Sequence, residues 1–302
     1  MASRHESLDW RIQQVLPKPA YDTAKGLYYP LKRLAGRNPG RGRLLPDFLI
    51  IGSTKCGTTS LHGWITEHPF VAETKKEVHF FNLNYYRRPD WYRTYFPLQT
   101  ERDEFEREHG RPFLVGEATA SYMGHYWTPG RVAKLLPDAK LIVSLRDPID
   151  RAYSQFHYFV RRGDEKLGSF EQAIAKESER LEPELARMKA DRHYNSWPLH
   201  FASYLMFSRY VEQLERWFAV FPREQFLFVD FDKEVCVAPQ QVLDTIYDYL
   251  GLTPYRNAEV PTLNAGTYES MAAETRARLV EYFRPYNARL YELTGIDFGW
   301  PS

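Results

Sequence analysis

Cysteine is scarce: the 302 residues hold only Cys56 and Cys236, 180 positions apart. Neither a disulfide framework nor a structural zinc site can be built from such a pair. Long apolar runs are missing as well. Stretches such as Phe48 to Ile51 fall far short of the roughly 20 residues that span a bilayer. Charges and prolines between Arg4 and Lys25 break up any secretory signal core, so a reducing, cytoplasmic location is expected. Net charge is small too, +1 from 40 basic and 39 acidic residues. With 43% hydrophobic residues, that balance excludes disorder, collagen and coiled coil as descriptions of the whole chain.

What the chain has in quantity is aromatic side chains: 7 Trp, 21 Tyr and 19 Phe, able to build a large core or to stack on a planar ligand. Its charge is unevenly spread. Residues 1–45 carry nine Lys or Arg against three Asp or Glu, interleaved with Trp10, Tyr21, Tyr28 and Tyr29. Such an arm can pack on the core or make peripheral contact with an anionic membrane. Arg37-Asn-Pro-Gly-Arg-Gly-Arg43 reads as a linker. The expected organisation is a basic extension and linker over 1–45, followed by one domain over 46–302.

Within that domain, short apolar runs alternate with helical periodicity. Phe48–Ile51, Phe113–Val115, Leu141–Leu145 and Gln225–Asp230 have the length and continuity of buried strands. Helical spacing is carried by Leu61, Trp64 and Ile65, by Val132, Leu135 and Leu136, and by Phe207, Val211, Leu214 and Phe218. Pro239 and Gly251 bracket a further helix. This alternation predicts an α/β fold, a central parallel sheet flanked by helices.

The first strand runs into Gly52-Ser-Thr-Lys-Cys-Gly-Thr-Thr-Ser60 and then a helix, an order that points backbone N–H groups and a helix dipole at an anion. It is a phosphate-binding turn with a difference. Gly52 and Gly57 have the spacing of GxxxxGK[ST], but Thr58 occupies the lysine position and the lysine is Lys55. After the third predicted strand, Arg146 and Ser154 can serve a second phosphate as guanidinium fork and hydroxyl, or else form a surface ion pair with Asp147 and an ordinary helix residue.

Taken together these segments resemble the sulfotransferases that use 3′-phosphoadenosine 5′-phosphosulfate (PAPS), specifically the heparan-sulfate N- and 3-O-sulfotransferase type. Lys55-Cys-Gly-Thr-Thr-Ser-Leu61 is similar to that family's 5′-phosphosulfate loop, and Arg146 with Ser154 to its 3′-phosphate site. Lys76-Glu-Val-His-Phe-Phe-Asn82 resembles its catalytic segment and Gly116-Glu-Ala-Thr-Ala-Ser-Tyr122 its next substrate-side motif. Two departures stand out. Ala118 replaces a lysine common in the glycosaminoglycan enzymes, and Asn264-Ala-Gly-Thr-Tyr268 lacks the lysine and disulfide of the heparan-type C-terminal loop.

The resemblance implies a PAPS-dependent enzyme, leaving adenosine 3′,5′-bisphosphate (PAP), with Thr54, Lys55, Cys56, Gly57, Thr58, Thr59, Ser60, Arg146, Ser154 and Tyr268 on the nucleotide. It implies Glu77 as base, Lys55 on the bridging oxygen, and Lys76, Glu77 and Glu117 on the acceptor. If residues 77–79 are extended, Glu77 and His79 share a strand face, which lets His79 act in catalysis by orienting the base or contacting the acceptor, the alternative being a core histidine. The aromatic stretch Tyr85–Phe96, with Arg87, Arg88 and Arg93, either lines an acceptor cleft or belongs to the core. The expected partner is a glycan or glycolipid, not nucleic acid, and no metal is implied. A nucleotide kinase or triphosphatase is disfavoured by Thr58, and a silent nucleotide-binding protein by Lys55, Glu77, Arg146 and Ser154 occurring together.

Overall fold

The computed structural model describes residues 40–257 and 269–301. In chain order its main elements are β1 (Phe48–Gly52), α1 (Thr58–Thr66), β2 (Val71–Ala72), α2 (Arg88–Arg93), α3 (Gln99–His109), β3 (Leu114–Ala118), α4 (Thr128–Leu135) and β4 (Lys140–Leu145). There follow α5 (Pro148–Arg162), α6 (Phe170–Ala175), α7 (Glu177–Ala190), α8 (Trp197–Phe201), α9 (Tyr210–Phe218), β5 (Phe226–Asp230), α10 (Pro239–Leu250) and α11 (Ala273–Thr294). The five strands form one sheet in the order β2-β3-β1-β4-β5, and every pairing is parallel.

Strand alternation sorts the core into two layers. Leu49 and Ile51 face one side with Val143 and Leu145, against Tyr210, Leu214 and Trp217. Phe48 and Ile50 face the other with Ile142 and Val229, against Leu61 and Trp64 of α1 and Leu243 and Ile246 of α10. Covering both faces is what a parallel sheet requires, and it explains why these strands read as nearly unbroken apolar runs. A third cluster joins α5, α6 and α11 through Phe156, Phe170, Leu279 and Phe283.

Several sequence expectations need correction. The third strand runs on through Gly116 and Glu117 to Ala118, which an apolar-run criterion misses because a charged residue is buried inside it. β2 has two residues and no readable pattern. The helix expected from Phe207 starts at Tyr210, after a separate short turn at Met206–Ser208. For the aromatic stretch 85–96 the core alternative holds: Tyr92 and Phe96 are buried, and Tyr85, Trp91 and Tyr95 pack against the same core cluster. Arg93 donates to the Arg43 carbonyl at 2.6 Å instead of facing a cleft. Most of the basic arm, residues 1–39, lies outside the described residues. Among the described residues no helix is long and apolar enough to cross a membrane.

Because all strands run the same way, the segments that leave their carboxyl ends gather along one edge of the sheet. That edge is where open α/β sheets hold ligands. Here it collects the turn after β1, the 73–84 segment after β2, Thr119–Ser121 after β3, Arg146 after β4 and Phe231–Asp232 after β5.

Candidate active site

The turn after β1 is fastened from below. Ser53 N–H donates to the Ser144 carbonyl at 2.7 Å, and the Ser144 hydroxyl donates to the Cys56 carbonyl at 2.6 Å. Cys56 is buried, and burial pushes its thiol up to about 11, so it is a packing group here. Gly57 precedes α1 with φ 71°, and no side chain caps the helix. The first turn therefore turns backbone N–H groups and the positive dipole end towards the loop's concave side. A Cβ at Gly57 would lie 2.6 Å from the Phe231 ring, so glycine is required for space as well as for its backbone. The Ser53 hydroxyl is buried in this turn without a partner.

Lys55 also has a left-handed backbone, φ 68°. Its ammonium sits 4.4 Å from the centre of the Tyr158 ring. Burial, with Arg161, Arg146 and Lys76 nearby, lowers its pKa from 10.5 to about 8. Cationic side chains thus converge on one small region, the condition a multiply charged anion would relieve. Arg146 is part of it. Its Nε lies 3.2 Å from Asp232 Oδ1, with the Phe231 ring 5.2 Å from the guanidinium carbon. Asp147 is not its partner. That carboxylate caps α5, accepting from the Ile149 and Asp150 amides at 2.8 and 3.1 Å. Ser154 lies within α5 and is 8% exposed.

The catalytic candidates meet next to this turn. Lys76 Nζ donates to the Thr59 hydroxyl and lies 3.7 Å from Glu77 Oε1, so one ammonium joins loop and carboxylate. Glu77 Oε2 is 3.1 Å from His79 Nε2, and its Oε1 accepts from the Ala120 amide at 3.1 Å. Burial alone would raise this carboxyl; His79, Lys76 and that amide outweigh it and hold Glu77 at about 2. The residue is a carboxylate at any neutral pH. Glu77 and His79 do not meet as neighbours on a strand face, because the segment is irregular and His79 turns through φ 54°. That turn leaves His79 Nδ1 beside the Ser121 hydroxyl at 3.4 Å and the Asn82 amide at 3.5 Å.

Glu117, expected on the acceptor, is fully buried. It receives hydrogen bonds from Thr119 Oγ1 and from the Tyr92 hydroxyl at 3.2 Å, and burial raises its carboxyl to about 7 against those bonds. Enclosed by strand and core, it props the 119–122 turn. It cannot touch an acceptor. Tyr268 lies outside the described residues.

Arg151 escaped the sequence reading. Fully buried on α5, its guanidinium donates to Thr54 Oγ1 in the turn at 3.1 Å, to Ser208 Oγ at 2.6 Å and to the Tyr204 carbonyl at 2.5 Å. Gln155, one helical turn on, accepts from both Arg151 and Thr54. The signal was there in the i, i+4 spacing of Arg151 and Gln155 behind a capped helix start.

A phosphate-type turn, a converging set of cations and an ionised carboxylate beside them at the carboxyl edge of a parallel sheet are the parts that group transfer from an anionic donor needs. Residues 45–282 match the family model described as "Sulfotransferase domain", and the chain belongs to that family: it is a sulfotransferase. Its fold is similar to the crystal structure of a sulfotransferase from Alicyclobacillus acidocaldarius, with TM-score 0.65 and 32% identity over 85% of this chain and 98% of that one. It is 27% identical over 331 residues to the membrane-associated sulfotransferase kil1 of Dictyostelium discoideum, covering 87% of this chain and 69% of that protein. It is also 31% identical over 281 residues to the bifunctional heparan sulfate N-deacetylase/N-sulfotransferase 2 of Bos taurus, covering 82% of this chain and 29% of that protein. This chain thus spans less than a third of the bovine protein's length.

Proposed function

We propose that the protein transfers a sulfuryl group from PAPS to a hydroxyl or amine of a carbohydrate or glycolipid acceptor. The observation that carries this reading is the bridge made by Lys76, which ties the phosphate turn at Thr59 to the Glu77 carboxylate and so sets an anion site and a proton acceptor side by side. The bovine relative's name, with its heparan sulfate N-sulfotransferase activity, supports a sugar acceptor.

Each residue then has a task set by charge. The turn amides and the hydroxyls of Thr58, Thr59 and Ser60 hold the 5′-phosphosulfate, and Arg146 with Ser154 the 3′-phosphate. Lys55 neutralises charge on the leaving phosphate oxygen. Glu77 takes the acceptor's proton, with His79 holding the carboxylate from the far side. An oxygen bonding to sulfur while it still carries a proton is strongly acidic, so a weakly basic carboxylate suffices. Incubating the full chain with sulfur-labelled PAPS and a panel of glycans, glycolipids, phenols and amines should label a sugar-bearing acceptor. Calorimetry should show PAP binding far tighter than adenosine 5′-phosphate. Equal affinity for the two nucleotides would overturn the two-phosphate reading.

A further inference from the structure

Both chain neighbours of Lys55 are tied down. Thr54 is held by Arg151 and Gln155 of α5, and the Cys56 carbonyl accepts from the Ser144 hydroxyl. With its own backbone left-handed at φ 68°, Lys55 leaves the turn in a direction that these neighbours fix. What its ammonium meets there is the ring of Tyr158, 4.4 Å from the ring centre. Tyr158 belongs to α5, where Arg151, Ser154 and Tyr158 follow one another at spacings of three and four along one face. The ring is itself fixed. It packs against the third core cluster, and its hydroxyl accepts from Arg162 Nη1 at 3.1 Å, a guanidinium held in turn by Asp164 at 2.9 Å.

The charges facing this ammonium are mostly of its own sign. Arg161 of α5, Arg146 after β4 and Lys76 after β2 oppose its charge, while Cys56, in the turn itself, favours it. Among the described residues no carboxylate pairs with Lys55. The ring face supplies an attraction of another kind, because its quadrupole draws an ammonium without cancelling the charge. A carboxylate in the same place would compete with an incoming phosphate. The ring, set to one side, leaves the charge and the remaining N–H donors of the ammonium for the anion.

We infer that Tyr158 is a positioning residue for the donor: its ring holds the Lys55 ammonium, still charged, where the leaving phosphate oxygen will lie. Its role rests on the donor reading proposed above, and its contact with Lys55 on the geometry alone. Calorimetric titration of the full chain with PAP tests the role. Tyr158→Leu should weaken PAP by about 3- to 10-fold at pH 7 and lower the pH at which affinity begins to fall by about half to one unit; Tyr158→Met is the second ringless variant should the first not fold. Tyr158→Phe keeps the ring and should recover most of the lost affinity. In a Lys55→Ala background, Tyr158→Leu should add almost nothing, a coupling that a general loosening of α5 would not produce. NMR of the lysine side chains in the nucleotide-free protein tests the contact, and Tyr158→Leu should shift the Lys55 titration downward by the same about half to one unit. An unmoved Lys55 titration, a Tyr158→Phe variant as impaired as Tyr158→Leu, or an equal loss with and without Lys55 would each overturn the inference. A wild type that fails to bind PAP while its Lys55 titration still responds to Tyr158 would sink the donor reading and leave the contact standing; PAP binding with an unmoved titration would do the reverse.

Discussion

Lys55 gives the sharpest test of the donor site, because its charge changes within an accessible pH range. Burial and the neighbouring Arg161, Arg146 and Lys76 hold its pKa at about 8. It is therefore about nine-tenths charged at pH 7 and about one-tenth charged at pH 9. A phosphate in the turn favours the ammonium and raises that pKa, so binding near pH 8 takes up about half a proton. Above pH 8, PAP affinity should fall by about tenfold per unit until the bound-state pKa is passed. Phosphate ionisation does not intervene, since its second pKa lies near about 6.

For stability the sign is opposite. A lysine whose folded pKa is lowered carries a penalty below about 8, which is relieved as pH rises towards 10.5 and the unfolded chain keeps its proton longer. Raising the pH should thus ease this site's contribution in the free protein while eroding the stabilisation conferred by PAP. The assay is calorimetric titration with PAP from pH 7 to 9.5, repeated in buffers of different ionisation enthalpy to count protons. In Lys55→Arg the profile should flatten, because a guanidinium stays charged throughout. A wild-type affinity that does not change over this range, or a slope that persists in Lys55→Arg, would refute the reasoning.

Three further outcomes are expected. Glu77→Gln should cut single-turnover transfer by about 10²- to 10⁴-fold with PAP affinity intact, since the amide cannot take the proton; full transfer with normal binding would move that role to His79. Arg146→Ala should weaken PAP by about 10- to 150-fold and adenosine 5′-phosphate far less, read by the same calorimetry. Gly57→Ala combines a left-handed φ with the Phe231 clash. It should lower unfolding free energy by about 1–3 kcal/mol in denaturant melts, and an unchanged midpoint would show that the turn is not under that constraint.

The sequence was most legible where one physical requirement ruled a whole segment. β1, β4 and β5 are buried on both faces, so they had to be unbroken apolar runs, and Pro239 and Gly251 bound α10 because one suits a helix start and the other its left-handed end. It was least legible where tertiary partners decide. Glu117 hid the end of β3, since nothing local says that Tyr92 and Thr119 will satisfy a buried carboxyl. In the active site, the pairing of Glu77 with His79 was anticipated and its cause was not: a left-handed residue brings them together where a strand period was expected. The Lys76 to Thr59 bridge and the Arg151 contacts join segments far apart in the chain, and no spacing rule reaches across them.

Arg151 makes the two ends of the reaction interdependent. One guanidinium grips Thr54 in the turn after β1 and the backbone of Tyr204, and the segment it pins continues directly into Met206 and Phe207, which line a pocket shared with Asn82 and Ser121. If a donor that orders the turn also orders that wall through Arg151, a second ligand would meet a partner already ordered by the first. Linkage then requires donor and acceptor to tighten each other by the same factor. On the proposed reading the spent nucleotide would sit in the same turn, so it should retain unreacted acceptor as well, and an excess of acceptor would slow turnover by trapping the enzyme in a dead-end ternary complex.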